Sequence, residues 1–80
     1  MNIEIAQLLL KKNKYQETID ICKKILDLES NSLNALKLIS KAYLATHQIE
    51  NARLYIHKVL TLEPNNYEFI KDLGNTYLVI

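Results

Sequence analysis

An internal repeat is the strongest constraint on how this 80-residue chain can fold. When the sequence is shifted by 34, residues 25–32 lie over residues 59–66, and apolar positions mostly agree in character while charged ones mostly do not. Small residues coincide at Ala6, Ser40 and Gly74, and large residues coincide at Leu9, Tyr43 and Tyr77. Units that bury their apolar faces by stacking on their neighbours repeat their packing positions and leave the surface free to vary.

Within each period the apolar residues follow helical spacing. Leu33, Leu36 and Ile39 recur at intervals of three, and the pattern returns after Ile49. A single Gly and a single Pro in the whole chain favour long helices with short connections over a β fold. Pro64 cannot continue a helix, which predicts a helix end near residue 62. The sequence predicts five helices, over residues 2–12, 15–28, 32–46, 49–62 and 66–79.

Turn and cap residues separate the predicted helices. Asn13 and His47 occupy equivalent positions between helices, and both residue types tolerate the positive φ that a tight turn often requires. Asn13 with Gln16, and Asn65 with Glu68, have the spacing of a capping box, which predicts helix starts at the two asparagines.

The repeated residues resemble the tetratricopeptide repeat, whose pattern is W-x2-L-G-x2-Y, then A-x3-F, then P, in a unit of about 34 residues. The second period carries the pattern through Leu36, Ile39, Ser40, Tyr43, Ala52, Ile56 and Pro64. The third period begins with Ile70, Leu73, Gly74 and Tyr77, whereas the first is degenerate and has Ser30 where Pro is expected. The chain contains no Trp, so the large first residue of the pattern is aliphatic here.

This resemblance implies an all-α fold, a right-handed stack of antiparallel helix hairpins. It further implies one domain over residues 1–80, made of hairpins 1–31 and 32–65 and the first helix of a third hairpin, 66–80. In this family the first helix of each hairpin lines a concave groove that holds an extended peptide or a partner helix. Carried over to this chain, the groove residues are Gln7, Asn34, Lys37, Lys41, Lys71 and Asn75. The lysines favour an acidic segment as the partner, and Asn34 and Asn75 could hydrogen-bond a peptide backbone.

The last predicted helix is apolar on more than one side, and the second helix of its hairpin is missing from the sequence. A contiguous apolar patch seldom stays exposed. The residues expected to take part in self-association are Phe69, Tyr77, Leu78 and Ile80. Two explanations are open: the chain is the start of a longer repeat protein, or two copies cover each other's last helix as a homodimer. The functions to be weighed are therefore a protein-interaction module, a self-assembling scaffold, and a targeting segment of a larger protein or enzyme.

Charge and hydropathy argue against nucleic-acid and membrane partners. The net charge is +1, and the lysines are scattered among acidic residues rather than gathered in the basic stripe that phosphate binding needs. No signal segment opens the chain, and no apolar run approaches the roughly 18 residues of a spanning helix. Cys22 is the single cysteine, so a disulfide framework is excluded and a reducing, cytoplasmic location is expected.

The residue types that carry catalysis or bind cofactors are also poorly placed. His47 and His57 are ten residues apart with no second ligand at helical spacing, which argues against a metal site. Cys22 coincides with Ile56 in the next period, so we expect it to be a core residue rather than a nucleophile. Gly74 is solitary, so no phosphate-binding loop is expected. We therefore predict no catalytic residue, no cofactor and no enzymatic activity.

Overall fold

The computed structural model describes residues 3–78 and contains, within them, five α-helices and no strand. The helices are α1 (Ile3–Lys11), α2 (Tyr15–Leu28), α3 (Leu33–Ala45), α4 (Ile49–Leu62) and α5 (Tyr67–Thr76). Each helix packs against the next in the chain, and α1 also packs against α3. The predicted fold class, an all-α stack of helical hairpins, is confirmed.

The last helix is shorter than the sequence predicted. We expected it to continue to residue 79, but α5 ends at Thr76, and residue 79 lies outside the described residues. The N–H of Tyr77 donates to the Gly74 carbonyl and that of Leu78 to the Asn75 carbonyl, both at 3.1 Å. These bonds span three residues rather than four, which tightens the final turn and ends the α-helix there.

The two turns inside the hairpins have the same geometry, one period apart. Asn13 has φ 62° and His47 has φ 59°, which confirms the prediction that both lie in the left-handed region. The N–H of the following residue donates back over the turn in each case, from Lys14 to the Leu9 carbonyl and from Gln48 to the Tyr43 carbonyl, both at 2.9 Å. The backbone conformation of these two turns therefore repeats with the same period as the sequence.

The helix caps lie elsewhere than the sequence predicted. Asn66, rather than Asn65, caps α5, and its side chain accepts the N–H of Phe69 at 3.2 Å. Asn13 does not cap α2, because it occupies the left-handed turn and the N-cap position falls on Lys14, which makes no side-chain cap bond. Ser32 caps α3, one period before Asn66. The expectation that Pro64 ends the preceding helix is met, since α4 stops at Leu62.

The repeated small and large positions form the core in the first two periods. Ala6 and Ser40 are fully buried, and Tyr43 is nearly so. The Ser40 hydroxyl donates to the Leu36 carbonyl at 2.7 Å, which satisfies this polar group inside the core. Cys22 is also fully buried, as predicted from its coincidence with an apolar position.

Gly74 differs from the two small residues with which it coincides. Ala6 and Ser40 are fully buried, whereas Gly74 is exposed. A Cβ atom built on Gly74 would have no heavy atom within 4 Å outside its own helix backbone. In the described part of the chain, therefore, no helix covers this side of α5.

Candidate partner-binding surfaces

The six residues predicted to line a groove lie on α1, α3 and α5, and we call them the first-helix surface. Gln7 is on α1, and it borders an open cavity of about 460 Å³ together with the half-exposed Leu8. Asn34, Lys71 and Asn75 are exposed on α3 and α5. Lys37 and Lys41 are half-buried on α3.

Lys41 ties α3 to α5. Its Nζ lies 2.7 Å from an Oε of Glu68 and 2.7 Å from an Oδ of Asp72, and 4.9 Å from the ring centroid of Phe69. Burial alone lowers the pKa of Lys41, but the hydrogen bonds to Asp72 and Glu68 outweigh it and the pKa is raised. The hydrogen bond from Lys41 in turn lowers the pKa of Glu68. Lys41 is therefore a charged cross-link between two helices.

Lys37 has an acidic partner as well. Its Nζ lies 2.9 Å from an Oε of Glu63, which also accepts a hydrogen bond from the side chain of Asn66 at 2.8 Å. The hydrogen bonds from Asn66 and then Lys37 lower the pKa of Glu63. This carboxylate follows α4 directly, at the C-cap position.

The predicted basic centre of the first-helix surface is therefore balanced in charge. The cations Lys37, Lys41 and Lys71 lie among three carboxylates, those of Glu63, Glu68 and Asp72. This balance could not be predicted from sequence patterns, because each paired lysine and carboxylate lie more than 20 residues apart in the sequence. Of the three lysines, Lys71 makes no ion pair with another residue of the described chain.

Of the four residues predicted for self-association, two are exposed, one is buried and one lies outside the described residues. Tyr77 is 62% exposed and Leu78 is 76% exposed, in keeping with a surface role. Phe69 is a correction: it is 1% exposed because it points into the core of its own chain, so it is not available to a second copy. Ile80 lies outside the described residues.

A set of exposed apolar residues lies on the side of α5 away from the buried Phe69 and continues into the turn after Thr76. We call it the open face of α5, and it consists of Tyr67, Ile70, Gly74, Tyr77 and Leu78. Tyr67, Ile70 and Gly74 follow one another at intervals of three and four, which places them on one side of α5, and Tyr77 and Leu78 lie in the turn that follows the helix. Tyr67 and Ile70 were not among the residues predicted for self-association, although the same helical spacing could have identified them.

Arg53 of α4 holds the end of α5, a contact that the sequence analysis did not predict. Its Nε donates to the Thr76 hydroxyl at 3.1 Å and its Nη2 to the Thr76 carbonyl at 2.9 Å. The guanidinium also lies 4.1 Å from the ring centroid of Tyr77. Arginine side chains near a helix C-terminus satisfy carbonyls that have no partner within the helix. No short-range pattern signals this contact, since 23 residues separate the two partners.

No group of three or more His, Cys, Asp or Glu side chains between positions 3 and 78 could hold a metal ion. Burial raises the pKa of the Cys22 thiol to about 11, so the nucleophilic thiolate is scarce near neutral pH. A search of residues 3–78 found no helix long and apolar enough to cross a membrane.

Comparison with known proteins shows a similarity to a much longer protein. The chain is 37% identical over 65 residues to the peptidyl-prolyl cis-trans isomerase FKBP4 of Homo sapiens. The match covers 81% of the chain but 14% of that protein, so the chain spans about a seventh of its relative's length. FKBP4 has tetratricopeptide-repeat domains, and this similarity together with the five helices fits a tetratricopeptide-like fold. No family model matches the chain.

Proposed function

We propose that this chain is a non-catalytic protein-interaction module of the tetratricopeptide-repeat family. The observation that carries the proposal is the combination of a helical-hairpin stack with similarity to a protein that has tetratricopeptide-repeat domains. The isomerase activity in the name of FKBP4 belongs to that protein, and we do not extend it to this chain. Function on such a fold depends on its exposed side chains rather than on the fold itself.

The proposed binding site is the first-helix surface, which would hold an extended peptide or a helix of the partner. Asn34 and Asn75 support it, because both amides are exposed and can donate to and accept from a peptide backbone. Lys71 is free of ion pairs with the rest of the described chain and can meet a carboxylate of the partner. An acidic partner would compete with Glu68 and Asp72 for Lys41, so strong binding through that lysine is not expected.

The experiment is a selection from a random-peptide library on the immobilised chain, followed by titration of the ¹⁵N-labelled chain with an enriched peptide. We expect amide shifts to cluster on α3 and α5, around Asn34, Lys71 and Asn75. Replacing both asparagines by alanine should weaken binding about tenfold, because each lost hydrogen bond contributes about 0.5–1.5 kcal/mol.

The matched control replaces Asn31 and Asn65 by alanine, two exposed asparagines outside the helices and one period apart. This change alters the same kind of side chain but leaves the first-helix surface intact. Equal weakening by the two double variants, or failure of any peptide to enrich, would refute the proposed site.

Self-association is the second candidate function, and the exposed apolar side chains of α5 and of the turn after it are the observation that favours it. Tyr67, Tyr77 and Leu78 are 82%, 62% and 76% exposed. Light scattering over a concentration series tests this candidate, since a folded monomer at every concentration would exclude a homodimer. Leu78→Glu should convert any such dimer to a monomer.

A further inference from the structure

A cavity of about 350 Å³ is lined mainly by α2 and α4, the second helices of the two hairpins. We call it the α2–α4 cavity. Small-molecule sites in proteins range from about 300 to 1,000 Å³, so this cavity has room for a small ligand or for one residue of a larger one. The charged and polar residues of its lining are Lys23, Asp27, Ser30 and Lys58. None of them belongs to the first-helix surface or to the open face of α5.

The charges that line the α2–α4 cavity are not used within the chain. Between positions 3 and 78, the side chains of Lys23, Asp27 and Lys58 make no ion pair, and the Ser30 hydroxyl has no hydrogen-bond partner. Two ammonium groups and one carboxylate give the lining a net charge of +1. This charge matches a monoanion such as a carboxylate better than a phosphate monoester, which carries about −1.5 to −2 at neutral pH.

A stacked pair of tyrosines lies beside the two lysines of the cavity. The rings of Tyr43 and Tyr55 have centroids 5.7 Å apart and an interplanar angle of 22°. The Nζ of Lys58 lies 5.1 Å from the Tyr55 ring centroid, and an interaction with the Tyr43 side chain raises the pKa of Lys23. Because Tyr43 is buried in the core, each ammonium group has a rigid neighbour that restricts its position.

The rest of the lining is apolar, and we call it the apolar floor of the cavity. It consists of Leu26, Leu36 and Tyr55. Leu36 belongs to the buried core, and Leu26 and Tyr55 are half-buried against it. A ligand with an apolar side chain would remove more of Leu26 and Tyr55 from water, which is favourable. An inorganic anion would make no use of this part of the cavity.

Ser30 and Lys58 also line a second cavity, of about 220 Å³, together with Asn31 and Thr61 among others. A ligand group bound between this hydroxyl and this ammonium can therefore extend into both cavities. Ser30 is the residue that stands where the repeat pattern has Pro, and Pro64 occupies the same place one period later. Since Pro has no hydroxyl, the departure from the pattern adds a hydrogen-bond donor where the two cavities meet.

We propose that the α2–α4 cavity binds a carboxylate whose neighbouring carbon carries an N–H group and an apolar side chain. The carboxylate meets Lys23 and Lys58, Asp27 accepts a hydrogen bond from the N–H group, and the side chain packs on the apolar floor. Both a free amino acid and the C-terminal residue of a peptide have these three groups. The inference goes beyond the proposed function, because the site shares no residue with the first-helix surface.

The test titrates the ¹⁵N-labelled full chain with N-acetyl-phenylalanine at pH 7 and low salt. The comparison ligand is N-acetyl-phenylalanine amide, which has the same side chain and N–H group but no charge. We expect the acid to bind with a dissociation constant of about 1 mM, as is usual for a ligand of this size, and to shift the amides of Lys23, Ser30 and Lys58. The uncharged amide should bind about fivefold more weakly, because it loses the pairing with the lysines.

Two variants and a matched control test the role of the lysines. Lys58→Met keeps an unbranched side chain but removes the charge, so it should weaken binding of the acid about three- to fivefold and leave binding of the uncharged amide unchanged. The control is Lys24→Met, one period earlier, which is also exposed and lines neither cavity. It should change neither affinity. With both Lys23→Met and Lys58→Met, the acid should bind no better than the amide.

Free phenylalanine distinguishes the two sources of the ligand. Tighter binding of N-acetyl-phenylalanine than of free phenylalanine supports the inference and assigns the site to the C-terminal residue of a peptide. Tighter binding of free phenylalanine also supports it and assigns the site to a free amino acid, since an ammonium group can pair with the Asp27 carboxylate more strongly than a neutral N–H group can.

Four outcomes would overturn the inference. They are equal binding of the acid and the uncharged amide by the unmodified chain, equal weakening by Lys58→Met and Lys24→Met, shifts centred on α3 and α5 rather than on α2 and α4, and no shifts with the acid at about 20 mM, well above the expected dissociation constant. Peptides selected for the first-helix surface should bind the Lys58→Met chain unchanged, so failure here is distinguishable from failure of the proposed function.

Discussion

Arg53→Ala should detach α5 from the stack while leaving the first two hairpins folded. The substitution removes two hydrogen bonds to Thr76 and the contact with the Tyr77 ring. Hydrogen bonds to charged groups contribute about 1.5–3 kcal/mol each in general. Because one half-buried guanidinium donates both hydrogen bonds, we assign about 2 kcal/mol of stability to the two together. The cation–π contact adds about 0.5–1 kcal/mol.

The expected loss of about 2.5–3 kcal/mol is large for a domain of this size. Eighty residues at about 0.05–0.15 kcal/mol each give a total stability of roughly 4–12 kcal/mol. The melting temperature should fall by roughly 10–24 °C, since 1 kcal/mol corresponds to about 4–8 °C in small domains. In native-state hydrogen exchange, the amides of α5 should lose protection by about a hundredfold, and those of α2 by much less.

Two controls separate the geometry of Arg53 from its charge. Arg53→Lys keeps the charge but loses the planar fork, so it should lose about half as much stability. Lys24→Ala removes an exposed cation from α2 and should change stability by no more than about 0.5 kcal/mol. If Arg53→Ala also stays within that limit, or if exchange from α2 and α5 rises equally, the assignment of Arg53 as the anchor of α5 is wrong.

Three further predictions concern acid stability, thiol reactivity and one turn. Because the folded chain lowers the pKa of Glu68, its stabilising effect is complete above the ordinary carboxyl pKa of 4.5 and is lost as the pH falls through the lowered value. Glu68→Gln should therefore reduce the loss of stability between pH 7 and pH 3 in urea unfolding, and an unchanged loss would contradict the pairing with Lys41. Cys22 should react with a disulfide reagent about a hundredfold more slowly in the folded chain than in urea at pH 8, and equal rates would contradict its burial. His47→Val should cost about 1–2 kcal/mol in thermal unfolding because φ is 59°, whereas His47→Gly should cost nothing, and equal losses would rule out backbone strain as the cause.

The period of 34 predicted the helices because packing positions repeat whenever the units stack on one another. It also predicted the left-handed turns, since Asn13 and His47 occupy the same place in successive units. The position of Phe69 was predictable as well: it coincides with the fully buried Ala35, a signal that was outweighed by the apolar character of the whole last helix. The repeat therefore predicts which positions are buried, even where the residue type changes.

The polar contacts of the first-helix surface and of Arg53 could not be predicted from the repeat. Lys41 meets carboxylates 27 and 31 residues away, and Arg53 meets a residue 23 positions away. These separations differ from the period because the pairs join helices of neighbouring hairpins. Surface residues also vary between units. The position of Lys41, for example, is occupied by Gln7 one period earlier and by Asn75 one period later. A pattern that repeats packing positions carries no information about such pairs.

The balance of charge and the exposure of α5 together indicate which surface can bind more tightly. On the first-helix surface, a partner's carboxylate gains Lys41 only by displacing Glu68 and Asp72, so one ion pair replaces another and the net gain is small. On the open face of α5, Tyr77 and Leu78 are already exposed to water, and covering them displaces no ion pair of the described chain. Burial of a large apolar side chain contributes about 1.5–3 kcal/mol, whereas exposed ion pairs contribute about 0–1 kcal/mol. Affinity should therefore come mainly from the open face, and the first-helix surface should contribute mainly to the choice among partners.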